Sequence, residues 1–175
     1  EISKRLSYIY KKNLILIKGE TIKKLVDSLD FLEKIEVKKK SPNTIIIKIF
    51  ETNPIAILHI KEKKYLLDSS SKINSFREDL AAKDLPNIFG EDAGKYFQDF
   101  FYQLESSNFP KNKIKNYYYF QIGRWDLQLI NDKIIKFPDV KTINAIKKSI
   151  ELINRKDFIN YNVIDLRVPG KIVVE

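Results

Sequence analysis

Two stretches decide the fold: Gly123-Arg124-Trp125-Asp126-Leu127 and Ile164-Asp165-Leu166-Arg167-Val168-Pro169-Gly170-Lys171-Ile172-Val173-Val174-Glu175. Between them lie an Asn131-Asp132 turn, an apolar run that closes on Phe137-Pro138, and a segment with helical spacing. This order predicts strand, tight turn, strand, helix and strand. A last strand favours the edge of a sheet, where free backbone groups, the N–H of Val173 among them, can pair with another chain. The residues alone therefore predict a docking site.

Composition narrows the classes of function. The chain has 175 residues, of which 43% are apolar and 12% aromatic. That apolar content is enough to form hydrophobic cores and argues against global disorder. The absence of Cys excludes disulfides, thiolate catalysis and cysteine metal sites. The chain contains no Met, and we expect it to be part of a longer protein. No window resembles a signal peptide or an apolar span, so we expect any membrane anchor to precede Glu1.

The net charge of +9 has two interpretations. One is an anionic partner such as nucleic acid or a lipid surface. The other is general solubility together with the compositional drift of an AT-rich genome. Of the 32 basic residues only 5 are Arg, whereas a nucleic-acid reader is expected to use Arg for bidentate contacts. The second interpretation is favoured, and no nucleic-acid partner is predicted.

The pattern predicts an α+β protein with two domains. Residues 1–52 are expected to form a small unit of two helices, at 1–10 and from a cap at Thr21 to about Leu29, and a β-hairpin at 35–38 and 44–51. Since two strands make a marginal sheet, we expect a first strand to lie before Glu1. Residues 53–175 predict a larger mixed sheet with two helices. Its strands are expected at 55–60, 65–68, 114–122, 124–129, 133–137, 163–168 and 172–174, its helices at 91–105 and 140–154, and a turn at 85–90.

Candidate catalytic groups have simpler interpretations. His59 is the only histidine and has no nearby second ligand, so no metal or cofactor is predicted. Asp126 and Asp165 resemble paired acid and base carboxylates. Each, however, has an Arg two residues away, at Arg124 and Arg167, which places the two charges on the same face of a strand. We therefore predict structural ion pairs and a protein that is not an enzyme.

Aromatic side chains cluster at Tyr117-Tyr118-Tyr119-Phe120, beside several lysines. Such a cluster suits base stacking. On a strand, however, alternate rings point to opposite faces, so half of them are expected to enter a core.

Four motifs follow one another along the second half of the chain: Leu85-Pro86 with Gly90-Glu91-Asp92-Ala93, then Arg124-Trp125-Asp126-Leu127, then Phe137-Pro138, then residues 164–170. Together they resemble the periplasmic region of the bacterial cell-division family FtsQ, called DivIB in Gram-positive bacteria, in its alphaproteobacterial form. Residues 51–56 with the Ser41-Pro42-Asn43 turn resemble the POTRA domain of that family. Phe31-Leu32 departs from the Trp-Val that the family often carries.

The resemblance implies a divisome scaffold in the bacterial inner membrane, crossing it once before Glu1 and exposing this region to the periplasm. It implies a POTRA-like domain at 1–52 and an FtsQ-type β domain at 53–175. In the family, FtsB and FtsL dock on the last strands, where a segment of FtsB adds as a helix and a short strand. Carried onto this chain, the contact residues are Arg167, Val168, Gly170, Lys171, Ile172, Val173 and Val174.

Two other hypotheses remain at this point. A POTRA-containing, chaperone-like module that handles outer-membrane or secreted polypeptides predicts repeated POTRA units. A basic nucleic-acid-binding domain predicts binding that weakens steeply with salt.

Overall fold

The computed structural model describes residues 7, 19–26, 32–40, 44–78, 80–81 and 84–175. The chain divides into two compact units, Glu1–Asn53 and Pro54–Glu175. The predicted α+β class is confirmed, because both units combine helices with sheet. Of the helix predicted at 1–10 only Ser7 is described, and the Ser41-Pro42-Asn43 turn lies outside the described residues.

The first unit contains a helix packed on a β-hairpin. Its described elements are α1 (Gly19–Val26), β1 (Leu32–Lys40) and β2 (Thr44–Glu51), and the two strands pair antiparallel. Alternation along the strands turns Val37, Ile45 and Ile47 toward Ile22 of α1, which is fully buried. The predicted cap at Thr21 is wrong, because the helix already includes Gly19 and Glu20 and Thr21 lies within its first turn. Leu29 lies outside the described residues.

The second unit is built on one mixed sheet, which has nine strands within the described residues. Their spatial order is β11-β10-β9-β8-β7-β6-β3-β4-β5, and the β3–β6, β6–β7 and β9–β10 pairs are parallel. The strands are β3 (Pro54–Ile60), β4 (Lys63–Asp68), β5 (Ile73–Ser75), β6 (Asn87–Phe89), β7 (Ile114–Phe120), β8 (Arg124–Leu129), β9 (Ile134–Lys136), β10 (Val163–Asp165) and β11 (Val173–Val174).

The helices α2 (Ala93–Ser106) and α3 (Thr142–Ile153) cover one face of this sheet, here called the core face. Short 3-10 turns at Lys111–Lys113 and Lys156–Phe158 lie in the connections. Tyr117 and Tyr119 are buried on the core face, whereas Tyr118 and Phe120 point to the other side, the outer face. The prediction that half of these rings enter the core is confirmed. One row of paired residues crosses the core face from Leu58 through Ile88, Tyr117, Leu127, Ile135 and Ile164 to Val174.

Several elements differ from the sequence prediction. The strand expected at 163–168 ends at Asp165, and the helix expected from 91 begins at Ala93. The turn predicted at 85–90 contains β6, which pairs on both sides and buries Ile88 completely. The second long helix begins at Thr142, so Val140 precedes it and is exposed, and Ile143 is exposed too. Its buried face is instead formed by Ile146, Ser149 and Leu152.

None of the described helices combines the length and the apolar character that crossing a membrane requires.

Candidate functional site

The C-terminal strand lies at one end of the sheet. β11 pairs antiparallel with β10, with Val174 opposite Ile164 and Val173 opposite Asp165. Among the described residues, no strand pairs with its other side. Glu175 and Val163 exchange backbone hydrogen bonds of 3.2 and 3.0 Å, which extends the ladder by one residue.

Inward and outward backbone groups alternate along this edge. Because Glu175 and Val163 exchange both bonds, the residue two positions earlier, Val173, also faces β10. The N–H and C=O of Val174 therefore point away from the sheet. The prediction that Val173 offers the free donor is wrong by one residue.

A tight turn leads into β11. The N–H of Lys171 donates to the carbonyl of Val168 at 3.1 Å, and Gly170 has φ +76°, a conformation that favours glycine. Val168 and Val173 keep about half of their surface exposed, at 51% and 48%. The turn thus presents apolar side chains to solvent beside the open edge.

A groove of about 420 Å³ lies next to this turn. One wall is Leu166 with residues 168–172, and the other is the first half of α3 with the segment before it. Three lysines line the groove, Lys141, Lys148 and Lys171, with no acidic residue among the lining. Its apolar surface comes from Pro138, Val140, Ala145, Leu166, Val168, Pro169 and Ile172. A partner that fills it is therefore expected to combine an apolar side chain with acidic neighbours.

A row of alternating charge crosses the outer face toward the same edge. Strand register places Asp126 beside Lys136, Lys136 beside Asp165, and Asp165 beside Val173. Arg124 and Asp126 form an ion pair with 3.2 Å between Nε and Oδ1, and Arg167 Nη2 lies 2.5 Å from Asp165 Oδ2. The predicted ion pairs are confirmed. Asp126 and Asp165 are not adjacent carboxylates, since β9 and Lys136 separate them.

Asp165 fixes the direction of Arg167. Its carboxylate accepts hydrogen bonds from the Arg167 backbone N–H at 3.0 Å and from Nε at 2.9 Å. The guanidinium of Arg167 holds the pKa of the Asp165 carboxyl below its ordinary value. Arg167 is thereby presented at the surface in a defined orientation, close to the open edge.

Burial is the largest influence on the pKa of Asp126. It raises the pKa of this carboxyl, and the nearby Arg124, Arg167 and Lys136 oppose that rise only in part. Oδ1 accepts no hydrogen bond within the described residues, which leaves the charged form poorly solvated.

Asp126→Asn is expected to become more stable relative to the wild type as pH rises. Because folding raises the pKa of Asp126, its protonated form contributes fully to the free energy of unfolding below the unfolded-state pKa, about 3.9. That contribution is lost as pH rises through the folded-state pKa. The Asn variant has no such titration. Urea denaturation of both proteins across this pH range measures the difference between their free energies of unfolding. A difference that moves in the opposite direction would mean that the ion pairs outweigh burial.

The remaining sequence candidates have structural partners. His59 Nε2 lies 2.8 Å from Oδ1 of Asn87, and its ring stacks on Phe89 at 4.5 Å. In the part of the chain that the structure describes, no group of His, Asp and Glu is arranged to hold a metal ion.

Comparison with known proteins gives one consistent result. No protein-family model matches the chain. The cell division protein FtsQ of Rickettsia conorii is 28% identical over 173 residues, covering 93% of this chain and 61% of that protein. FtsQ of Rickettsia prowazekii is 30% identical over 154 residues, with 83% and 55% covered, and FtsQ of Zymomonas mobilis is 27% identical over 143, with 80% and 45% covered.

The chain belongs to the FtsQ/DivIB family. It spans about 60% of the length of the first Rickettsia relatives. Among solved structures, the major extracytoplasmic domain of DivIB from Geobacillus stearothermophilus matches 61% of this chain and 98% of its own, at 15% identity and a TM-score of 0.38. That superposition is loose, and the family assignment rests on the sequence relatives.

The structure brings all seven predicted contact residues of this FtsQ/DivIB chain into one region, the turn and edge strand at 167–174. Sequence reasoning missed the opposite wall of the groove, Pro138, Val140, Lys141, Asn144, Ala145 and Lys148. One signal was present in the sequence, since Val140 carries an apolar side chain that the buried stripe of α3 does not use.

Proposed function

We propose that this chain is the partner-docking region of a cell-division scaffold, and that FtsB, together with FtsL, docks at the β11 edge. The observation that carries the proposal is the outward-facing backbone of Val174 beside a basic, apolar groove. An extended segment of a partner can pair with the Val174 backbone while one of its side chains enters the groove. The names of the relatives support a role in cell division.

The same relatives support the placement of the region in the cell. We infer a protein anchored in the bacterial inner membrane by one helix upstream of Glu1, with this region in the periplasm. The first unit then corresponds to a POTRA-like domain at 1–52 and the second to an FtsQ-type β domain at 53–175. The scaffold role requires no cofactor and no catalytic residue.

Magnitudes indicate how much surface the partner needs. Val174 offers two outward backbone groups, whose hydrogen bonds are worth roughly 0.5–1.5 kcal/mol each, and one apolar side chain in the groove adds roughly 1.5–3 kcal/mol. A micromolar complex requires about 8 kcal/mol after the cost of association. The backbone bonds of the edge and one side chain in the groove are therefore insufficient by themselves. We infer that the partner also contacts Arg167 and the lysines of the groove through acidic residues.

Val174→Pro is expected to weaken binding of the periplasmic segment of FtsB from the same organism by about tenfold or more. Proline removes the one outward N–H of β11, and its ring occupies the space of the incoming carbonyl. An edge position whose N–H faces solvent tolerates proline, so the fold is expected to persist. Calorimetric titration measures the dissociation constants, and circular dichroism checks the fold.

The matched control is Val174→Ala, which shortens the side chain and keeps the N–H. It is expected to bind much more tightly than the Pro variant. Equal affinities for wild type, Ala and Pro would move the docking site away from β11. If the wild type does not bind FtsB in the high micromolar range, the proposed partner is wrong.

A further inference from the structure

The exposed surface of the hairpin in the first unit has a distinct composition. Its side chains come from alternate residues of β1 and β2, which point away from Ile22 and the core beneath it. Strand register pairs Lys34 with Phe50, Glu36 with Lys48, Lys38 with Ile46, and Lys40 with Thr44. We call these eight residues the hairpin face.

Positive charge prevails on the hairpin face. It carries four lysines and one glutamate, a surplus of three (4 − 1), or of two if Glu33 at the neighbouring bulge is included. Lys34 lies 2.8 Å from Glu36 and lowers the pKa of its carboxyl, with further contributions from Lys38 and Lys48. One carboxylate is therefore shared among three cations, and the surface remains basic.

Two large apolar side chains stand among these lysines. Ile46 is 42% exposed and Phe50 is 41% exposed, although both belong to regular strand. The ammonium of Lys34 lies 5.6 Å from the centre of the Phe50 ring. Exposed apolar groups surrounded by lysine are typical of surfaces that enter a lipid headgroup region.

We propose that the hairpin face binds the surface of an anionic phospholipid bilayer. Its charge is complementary to acidic headgroups, and Ile46 and Phe50 are placed to enter the boundary between headgroups and acyl chains. Nucleic acid fits less well, because every cation on this face is Lys rather than Arg and an aliphatic Ile cannot stack on a base. This surface belongs to the first unit, so the inference stands independently of docking at β11.

Flotation with vesicles tests the proposal. The whole chain is expected to bind phosphatidylglycerol–phosphatidylcholine vesicles, to release them as salt is raised, and to bind pure phosphatidylcholine weakly. Lys38→Gln/Lys48→Gln is expected to lower the affinity for the anionic vesicles about 30-fold, given the usual contribution of each lysine near an anionic surface. Phe50→Ser is expected to lower it as well, at unchanged charge.

The control is Lys113→Gln/Lys147→Gln, which removes the same charge from exposed positions of the second unit. It is expected to bind like the wild type, which would assign the effect to the hairpin face rather than to net charge. Equal losses in both double variants would overturn the proposal, as would equal binding to neutral and anionic vesicles. Tighter binding of a random DNA duplex than of vesicles at the same salt would assign the face to nucleic acid.

Discussion

Phe97→Ala is expected to lower the free energy of unfolding of the second unit by about 3–5 kcal/mol. Phe97 is 1% exposed and lies at the centre of the aromatic core. Its ring packs edge-on against Tyr117 at 5.1 Å and against Trp125 at 6.0 Å, and tilted against Phe101 at 5.4 Å. Truncation removes these contacts and leaves a cavity between α2 and the sheet, which a close-packed interior fills only in part.

Trp125 provides the measurement. It is the only tryptophan of the chain and stacks on Phe100 at 5.0 Å, so its fluorescence follows unfolding of this unit alone during a urea titration. Tyr102→Ala serves as the control, because Tyr102 lies on the same helix but is 69% exposed. Its cost is expected to stay within about 0.5 kcal/mol. Similar costs at both positions would show that the ring cluster does not determine stability.

Gly90→Ala is expected to cost roughly 3 kcal/mol or more, from two sources. Gly90 follows β6 with φ +123°, a conformation that strains any residue with a Cβ. An added Cβ would also lie 2.3 Å from the backbone oxygen of Tyr119, which β7 holds in place. Because backbone of a central strand cannot move aside cheaply, strain and overlap add. Urea denaturation followed by Trp125 fluorescence measures the loss.

Gly123→Ala separates these two sources. Gly123 also has a positive φ, +84°, but among the described residues no atom, its two chain neighbours aside, lies within 4 Å of the place that an added methyl group would take. Only the backbone strain remains there, roughly 1–2 kcal/mol. Equal losses at Gly90 and Gly123 would mean that Tyr119 can move aside and that strain alone accounts for the effect.

Local patterns in the sequence predicted the elements in which the hydrophobic periodicity repeats often enough to be recognised. The helix at Ala93–Ser106 and the strands at Arg124–Leu129 and Thr44–Glu51 each repeat their apolar residues several times. Ion pairing was predictable too, because an Arg two residues from an Asp on one strand shares its face.

Long-range pairing was not predictable. β6 has three residues between Pro86 and Gly90, too few for a period, and its position between two parallel partners depends on residues about 30 positions away. The groove was missed for a similar reason, since its walls, near Val140 and Val168, come together only through the parallel β9–β10 pair. The one-residue error at the edge arose because only register fixes which backbone groups face outward.

The width of the sheet bears on how many strands can be added at the β11 edge. Among the described residues it has nine strands, and an added strand would make ten. Twist accumulates at roughly 20–25° for each neighbouring pair, and open, strongly twisted sheets rarely exceed about ten strands. A tenth strand would therefore bring the sheet close to the usual maximum width. If a segment docks at the β11 edge as proposed, an eleventh strand on that side would exceed this width, so a single added strand is favoured there over a growing fibre.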